Sequence, residues 1–158
     1  MELRNKIKIS LFIGDVQNAW ENTKDKDRYF TIQRFNYNLL KNRNESGIPC
    51  EITERTVMDF EIKSPKINQL QKLYGKMREQ EASSFSLLFN PRFGENDELT
   101  EYDGAMIIEG YLCLMHESYV SHKPKADERV MMKASLMLCS VRYTGGVNNT
   151  SQVSLRLI

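Results

Sequence analysis

His116 and Glu117 are the nearest approach in this sequence to a catalytic pair. A zinc protease of the HExxH type needs two histidines four residues apart on a helix, so that both rings reach one metal. Here the next histidine is His122, six residues on, in what reads as strand end and loop. No metal ligand is assigned. Nucleophilic catalysis needs a serine or cysteine activated by a neighbouring base. There is no GxSxG turn, and none of Cys50, Cys113 and Cys139 stands in a recognisable catalytic context. Neither GxxxxGK[ST] nor GxGxxG occurs, and Gly145-Gly146 alone signals a turn. The carboxylate pairs Glu79/Glu81 and Asp97/Glu98 lie in polar stretches, where a solvated face is the default. Arg28, Tyr29, Phe30, Arg34, Phe35 and Tyr37 interleave basic and aromatic residues, as single-strand nucleic-acid grooves do. Acidic residues precede them. The reading is a protein that is not an enzyme, with no catalytic residue and no cofactor.

The bulk properties agree with that reading. The chain has 158 residues, 41% hydrophobic and 27% charged, which is ordinary globular composition and enough for one domain with a core. Lys+Arg number 22 against 21 Asp+Glu, a net charge of +1. Nothing in that balance attracts nucleic acid or an anionic membrane, and little repulsion opposes self-association. The odd number of cysteines without a CxxC pair signals reduced thiols, and the apolar runs around Cys113 and Cys139 suggest that both are buried. No stretch approaches the roughly 20 apolar residues of a membrane span. The run from Ile9 to Ile13 is shorter than a signal-peptide core, so a cytoplasmic start without signal peptide is expected.

Period-two alternation predicts a strand over residues 6–13, with Ile7, Ile9, Leu11 and Ile13 on one face. Residues 14–28 form a long polar connection whose one large apolar residue is Trp20. Residues 29–40 and 51–62 read as strands, separated by a turn-rich loop at 41–49. One helix follows, over about 65–81. Ser64 is placed to cap it, Pro65 to occupy its first position, and Ile67, Leu70, Leu73, Tyr74 and Met77 to form an apolar stripe. Strands at 84–89, 105–116 and 130–141 come next, with an acidic loop at 91–103 and a charged one at 117–129. Val153, Leu155 and Leu157 alternate in a short final strand or tail.

One helix among six or seven strands excludes a parallel α/β fold. The expectation is a mainly β, single-domain chain over 1–158: a closed antiparallel β-barrel or tight sandwich with one flanking or capping helix. Residues 14–28 are a connection and 147–158 a C-terminal extension. A barrel of this size could hold one small apolar ligand. An open apolar lumen would support that alternative, and one filled by Met, Leu and Phe would deny it.

Three stretches give this pattern a family likeness. They are YFTIQRFNYN from Tyr29 with NESGIP from Asn44 and FEIKS from Phe60; the helix after Pro65 with FSLLF from Phe85; and IIEGYLCLMHESY from Ile107. With a closing strand at 131–141, they resemble the haemolysin-coregulated (Hcp) tube proteins of type VI secretion, in the divergent TssD-like form carried by Bacteroidetes. The longer first connection, the shorter turn at Gly47 and the C-terminal extension depart from that family. The resemblance implies a structural subunit, homohexameric rings stacked into a hollow tube, and delivery of effectors from the bacterial cytoplasm with possible export. The implied partners are further copies of the chain, with sheath, spike and effectors beyond them; a phage tail-tube-like or adaptor homologue is the nearest variant. It places ring-to-ring contacts on Asn42, Arg43, Asn44, Glu45, Ser46, Gly47, Ile48 and Pro49, and the lumen on the polar faces of the long strands.

Overall fold

The computed structural model describes residues 7–18, 20–39, 41–43, 45–47, 49–52, 56–63, 65–119, 130–147 and 152–156. The strands are β1 (Ile9–Ile13), β2 (Tyr29–Asn36), β3 (Lys41–Arg43), β4 (Pro49–Ile52), β5 (Val57–Lys63), β6 (Ser83–Phe89), β7 (Arg92–Phe93), β8 (Leu99–Glu101), β9 (Gly104–Tyr119), β10 (Val130–Gly145) and β11 (Gln152–Arg156). One α-helix, α1 (Ile67–Arg78), lies between β5 and β6.

Six strands close into an antiparallel barrel in the order β10-β5-β2-β1-β6-β9, and β9 returns to β10. The two 16-residue strands β9 and β10 form the seam. β6 covers only residues 104–110 of β9, and β5 only residues 131–137 of β10. β11 takes the edge of β10 that β5 leaves, from Ser140↔Arg156 to Thr144↔Gln152.

The barrel is solid. Leu11 and Ile13, Phe30 and Ile32, Met58, Phe60 and Ile62, Phe85 and Leu87, Met106 and Ile108, and Met132 to Leu138 at every second position all point inward and are buried. Leu70 and Leu73 of α1 join this core. An interior filled by Phe, Met and Leu leaves no lumen for an apolar ligand, so that alternative reading is set aside.

A second core lies outside the barrel, and the sequence reading missed it. Phe12, Tyr29, Leu88, Ala105 and Ile107 point outward from the wall made by β1, the start of β2, β6 and the start of β9. They are covered by Val16 from the first connection and by Leu99 and Tyr102 from the 91–103 segment. Ser86, fully buried on this face, accepts from the Val16 N–H at 3.0 Å and donates to the Gly14 carbonyl at 2.7 Å. The expected polar connection and acidic loop are therefore a lid. The connection forms two short 3-10 turns, Trp20–Lys24 and Lys26–Arg28, and the loop folds as the β7–β8 hairpin.

Other expectations are corrected locally. The 41–49 loop is a hairpin of β3 and β4, and the expected strand from residue 51 splits into β4 and β5. The helix starts at Ile67, after Pro65. The N–H of Lys66, just before the helix, is served by Gln69, whose Oε1 accepts it at 2.6 Å; Ser64 lies outside the described residues. Of its apolar stripe only Leu70 and Leu73 are buried, while Ile67, Tyr74 and Met77 are exposed because the barrel meets one flank of the stripe. Cys113 and Cys139 are not core residues either: Cys113 is exposed and Cys139 half-buried. Each is the extra residue of a β-bulge, where Leu112 and Leu114 face consecutive residues of β10, and Leu138 and Ser140 face consecutive residues of β9. The bulge at Cys113 shifts the alternation by one residue, so that Leu112 is buried in the core while Leu114 is exposed.

Candidate functional site: a bare polar wall

Among the described residues, the outward face of the remaining wall carries no second core. It consists of the end of β2, β5, the first half of β10 and the second half of β9, all at one level of the barrel. Register places its side chains in rows. Arg34, Glu61, Lys133 and His116 form one row across the four strands. Asn36, Asp59, Ser135 and Leu114 form the next. Val57, Met137 and Tyr111 make an apolar fringe beside them. A depression of about 500 Å³ opens on this face, lined by Arg34, Asn36, Asp59, Glu61, Leu114, Lys133 and Ser135 among others. The Ser135 hydroxyl donates to Asp59 Oδ1 at 2.5 Å, which satisfies the one buried polar side chain of these rows. Opposite charges stand directly across from each other on neighbouring strands, an arrangement that stabilises the sheet without giving the wall one sign.

Among the described residues this four-stranded wall is unpaired on both sides. Among the described residues no strand pairs with β9 beyond Gly110 on the side away from β10. None pairs with β2 beyond Ile32 on the side away from β5. Helix α1 lies near the β9 side, where the Tyr74 hydroxyl donates to Glu117 Oε1 at 2.6 Å. That bond and burial push the Tyr74 phenol up from its ordinary pKa.

The residues weighed for catalysis are dispersed. His116 is exposed on strand β9, with Nε2 3.4 Å from the Ser118 hydroxyl; Glu117 points to the other face, and His122 lies outside the described residues. Glu79 instead binds Lys76 at 3.1 Å and accepts the Ser83 hydroxyl at 2.5 Å, which draws its carboxyl below the usual range. Of the residues assigned to ring contacts, Asn42 and Arg43 lie in β3 and Pro49 in β4. Glu45, Ser46 and Gly47 form the exposed tip, where Gly47 has φ +77°. Asn44 and Ile48 lie outside the described residues. The hydroxyls of Tyr37, just past the end of β2, and Tyr143 of β10 meet and tie the two segments together.

Ionic contacts fasten the lid to the barrel. Asp25 binds Arg28 at 3.3 Å and Lys72 of α1 at 3.4 Å. Burial pushes its carboxyl up, but the Asp27 N–H and the Lys72 charge outweigh it, so Asp25 sits below its ordinary 3.8. Arg142 of β10 reaches Asp15 Oδ2 and Gln17 Oε1, both at 3.1 Å. Arg92 pairs with Glu101 at 3.0 Å and Asp103 at 2.9 Å, which holds the β7–β8 hairpin.

A filled antiparallel barrel with one covered wall, one bare polar wall and a flanking helix defines the class by its fold. Within that class the fold is that of the Hcp proteins. Hcp1 from Escherichia coli EAEC 042 superposes with a TM-score of 0.60 at 12% identity, over 97% of this chain and 100% of that one. Secreted protein Hcp3 from Pseudomonas aeruginosa gives 0.56 at 10%, over 97% and 99%. Hcp1 from Flavobacterium johnsoniae gives 0.53 at 11%, over 94% and 99%. At these identities the likeness is one of fold. No family model matches the sequence, and no curated protein sequence matches it.

Proposed function

We propose that this chain is a structural subunit of a type VI secretion inner tube, joining side by side with its own copies into a six-membered ring that stacks into a hollow tube. The observation that carries this reading is the bare wall, polar and open at both edges, on an Hcp-like barrel. In the wall β9, β10, β5 and β2 alternate in direction, so the free half of β9 in one copy and the free end of β2 in the next would continue the same antiparallel order. Such a contact is heterologous, closes into a ring by rotation and covers both open edges. The mixed-sign wall then faces the lumen, where effectors of either charge could pass without being held.

Stacking falls, on this reading, to residues 42–49, whose tip at Glu45–Gly47 is exposed. Sheath and spike components are partners at one remove, and export through the apparatus follows from the same role. No helix among the described residues is long and apolar enough to cross a membrane.

The test is negative-stain microscopy with solution mass. Annular particles with a central hole and a mass six times that of the chain are expected. A strictly monomeric mass across a wide concentration range would overturn the reading. Rings that never stack would point to the adaptor variant.

A further inference from the structure

We infer that β11 is a self-pairing edge, at which two copies of this chain meet about a two-fold axis. One edge of β11 is laddered to β10; among the described residues no strand pairs with the other. Natural edge strands are protected by short length, proline, charged side chains, bulges or covering loops. Gln152–Arg156 is short, but it contains no proline, its one charged residue, Arg156, stands at its end, and its register with β10 is unbroken. Val153, on the same face as Leu155, is left 66% exposed.

The strand is complementary to itself. Laid antiparallel against a second copy with Ser154 on the axis, all five residues pair. Val153 meets Leu155 of the partner subunit, Leu155 meets Val153 of the partner subunit, and Ser154 meets its own equivalent. Arg156 faces the uncharged glutamine at the other end, so no like charges oppose. A slip by two residues in one direction leaves Gln152 unpaired. The two apolar pairs extend the row that Tyr143, itself exposed, begins on β10. The contact is isologous, so it is distinct from the ring contact. Five paired residues cover far less than the ~800 Å² per partner of a stable complex. The pairing is therefore weak between single copies and strong only where several copies are already held together.

Cysteine cross-linking of the full chain tests this. Ser154→Cys should form a disulfide-linked dimer under mild oxidation, mapped by mass spectrometry to position 154 in both chains, because paired strands bring those Cα atoms into disulfide range. Val147→Cys, exposed but off the strand, serves as the collision control. Adding Val153→Glu should slow the position-154 cross-link roughly tenfold, since it breaks both apolar pairs. Amide exchange of residues 152–156 in the unaltered chain should slow as concentration rises. Cross-linking no faster than the control, indifference to Val153→Glu in a chain that still melts normally, or exchange independent of concentration would each overturn the inference.

Discussion

Gly110 shows how a single residue sustains the seam. A β-carbon there would stand 2.4 Å from the Met137 carbonyl oxygen. The obstacle is backbone beside two bulges, with no flexible side chain to yield. Gly110→Ala should cost about 1–3 kcal/mol through overpacking, read as a lower thermal midpoint without loss of the β-sheet circular dichroism signal. Asp25 acts through charge. Its folded pKa lies below 3.8, so its contribution is present above that value and disappears as pH falls through the lower folded value. Asp25→Asn keeps an oxygen to cap the following turn but removes the charge. The variant should melt below the parent at neutral pH, and the gap should close well below pH 3.8. A gap that persists in acid would show that the ion pair with Lys72 is not what Asp25 contributes.

At the level of elements, α1 and the lid mark the limit of what spacing reveals. The strands with inward Ile, Leu and Phe were legible because one face of each is buried, and alternation records that. The helix was legible as a helix, yet five apolar positions made its buried face look wider than it is. Leu73→Ala should destabilise by about 2–5 kcal/mol, whereas Ile67→Lys, at a position 75% exposed, should stay within about 0.5 kcal/mol; chemical denaturation compares the two. The second core was illegible for the opposite reason. Val16, Leu99 and Tyr102 are isolated among polar residues, and only the outward Phe12, Leu88 and Ile107 give them something to cover. Bulges hide as well. Nothing in the composition of LCL or LCS marks Cys113 and Cys139 as spare residues, so apolar neighbours suggested burial. The bare wall was half legible: its strands were expected, but the matching of Arg34, Glu61 and Lys133 into one row needs the register.

For the whole molecule, the contrast between its two walls is what an assembly can use. On the proposed reading Cys113, on the bare wall, should react readily with a bulky maleimide in dispersed subunits and slowly in closed tubes, while a small reagent reaches it in both. Equal rates with the bulky reagent would put that wall on the outside. One further consequence lies in how the barrel closes. β10 supplies both of the last pairings, to β5 on one side and β9 on the other, and it lies late in the chain. Until residue 130 has been synthesised, a nascent chain can hold β1, β2, β5, β6 and β9 only as an open sheet with two unsatisfied borders and its aromatic interior in water. Newly made chains are thus most vulnerable to aggregation just before the seam arrives, and chaperone protection matters most in that interval.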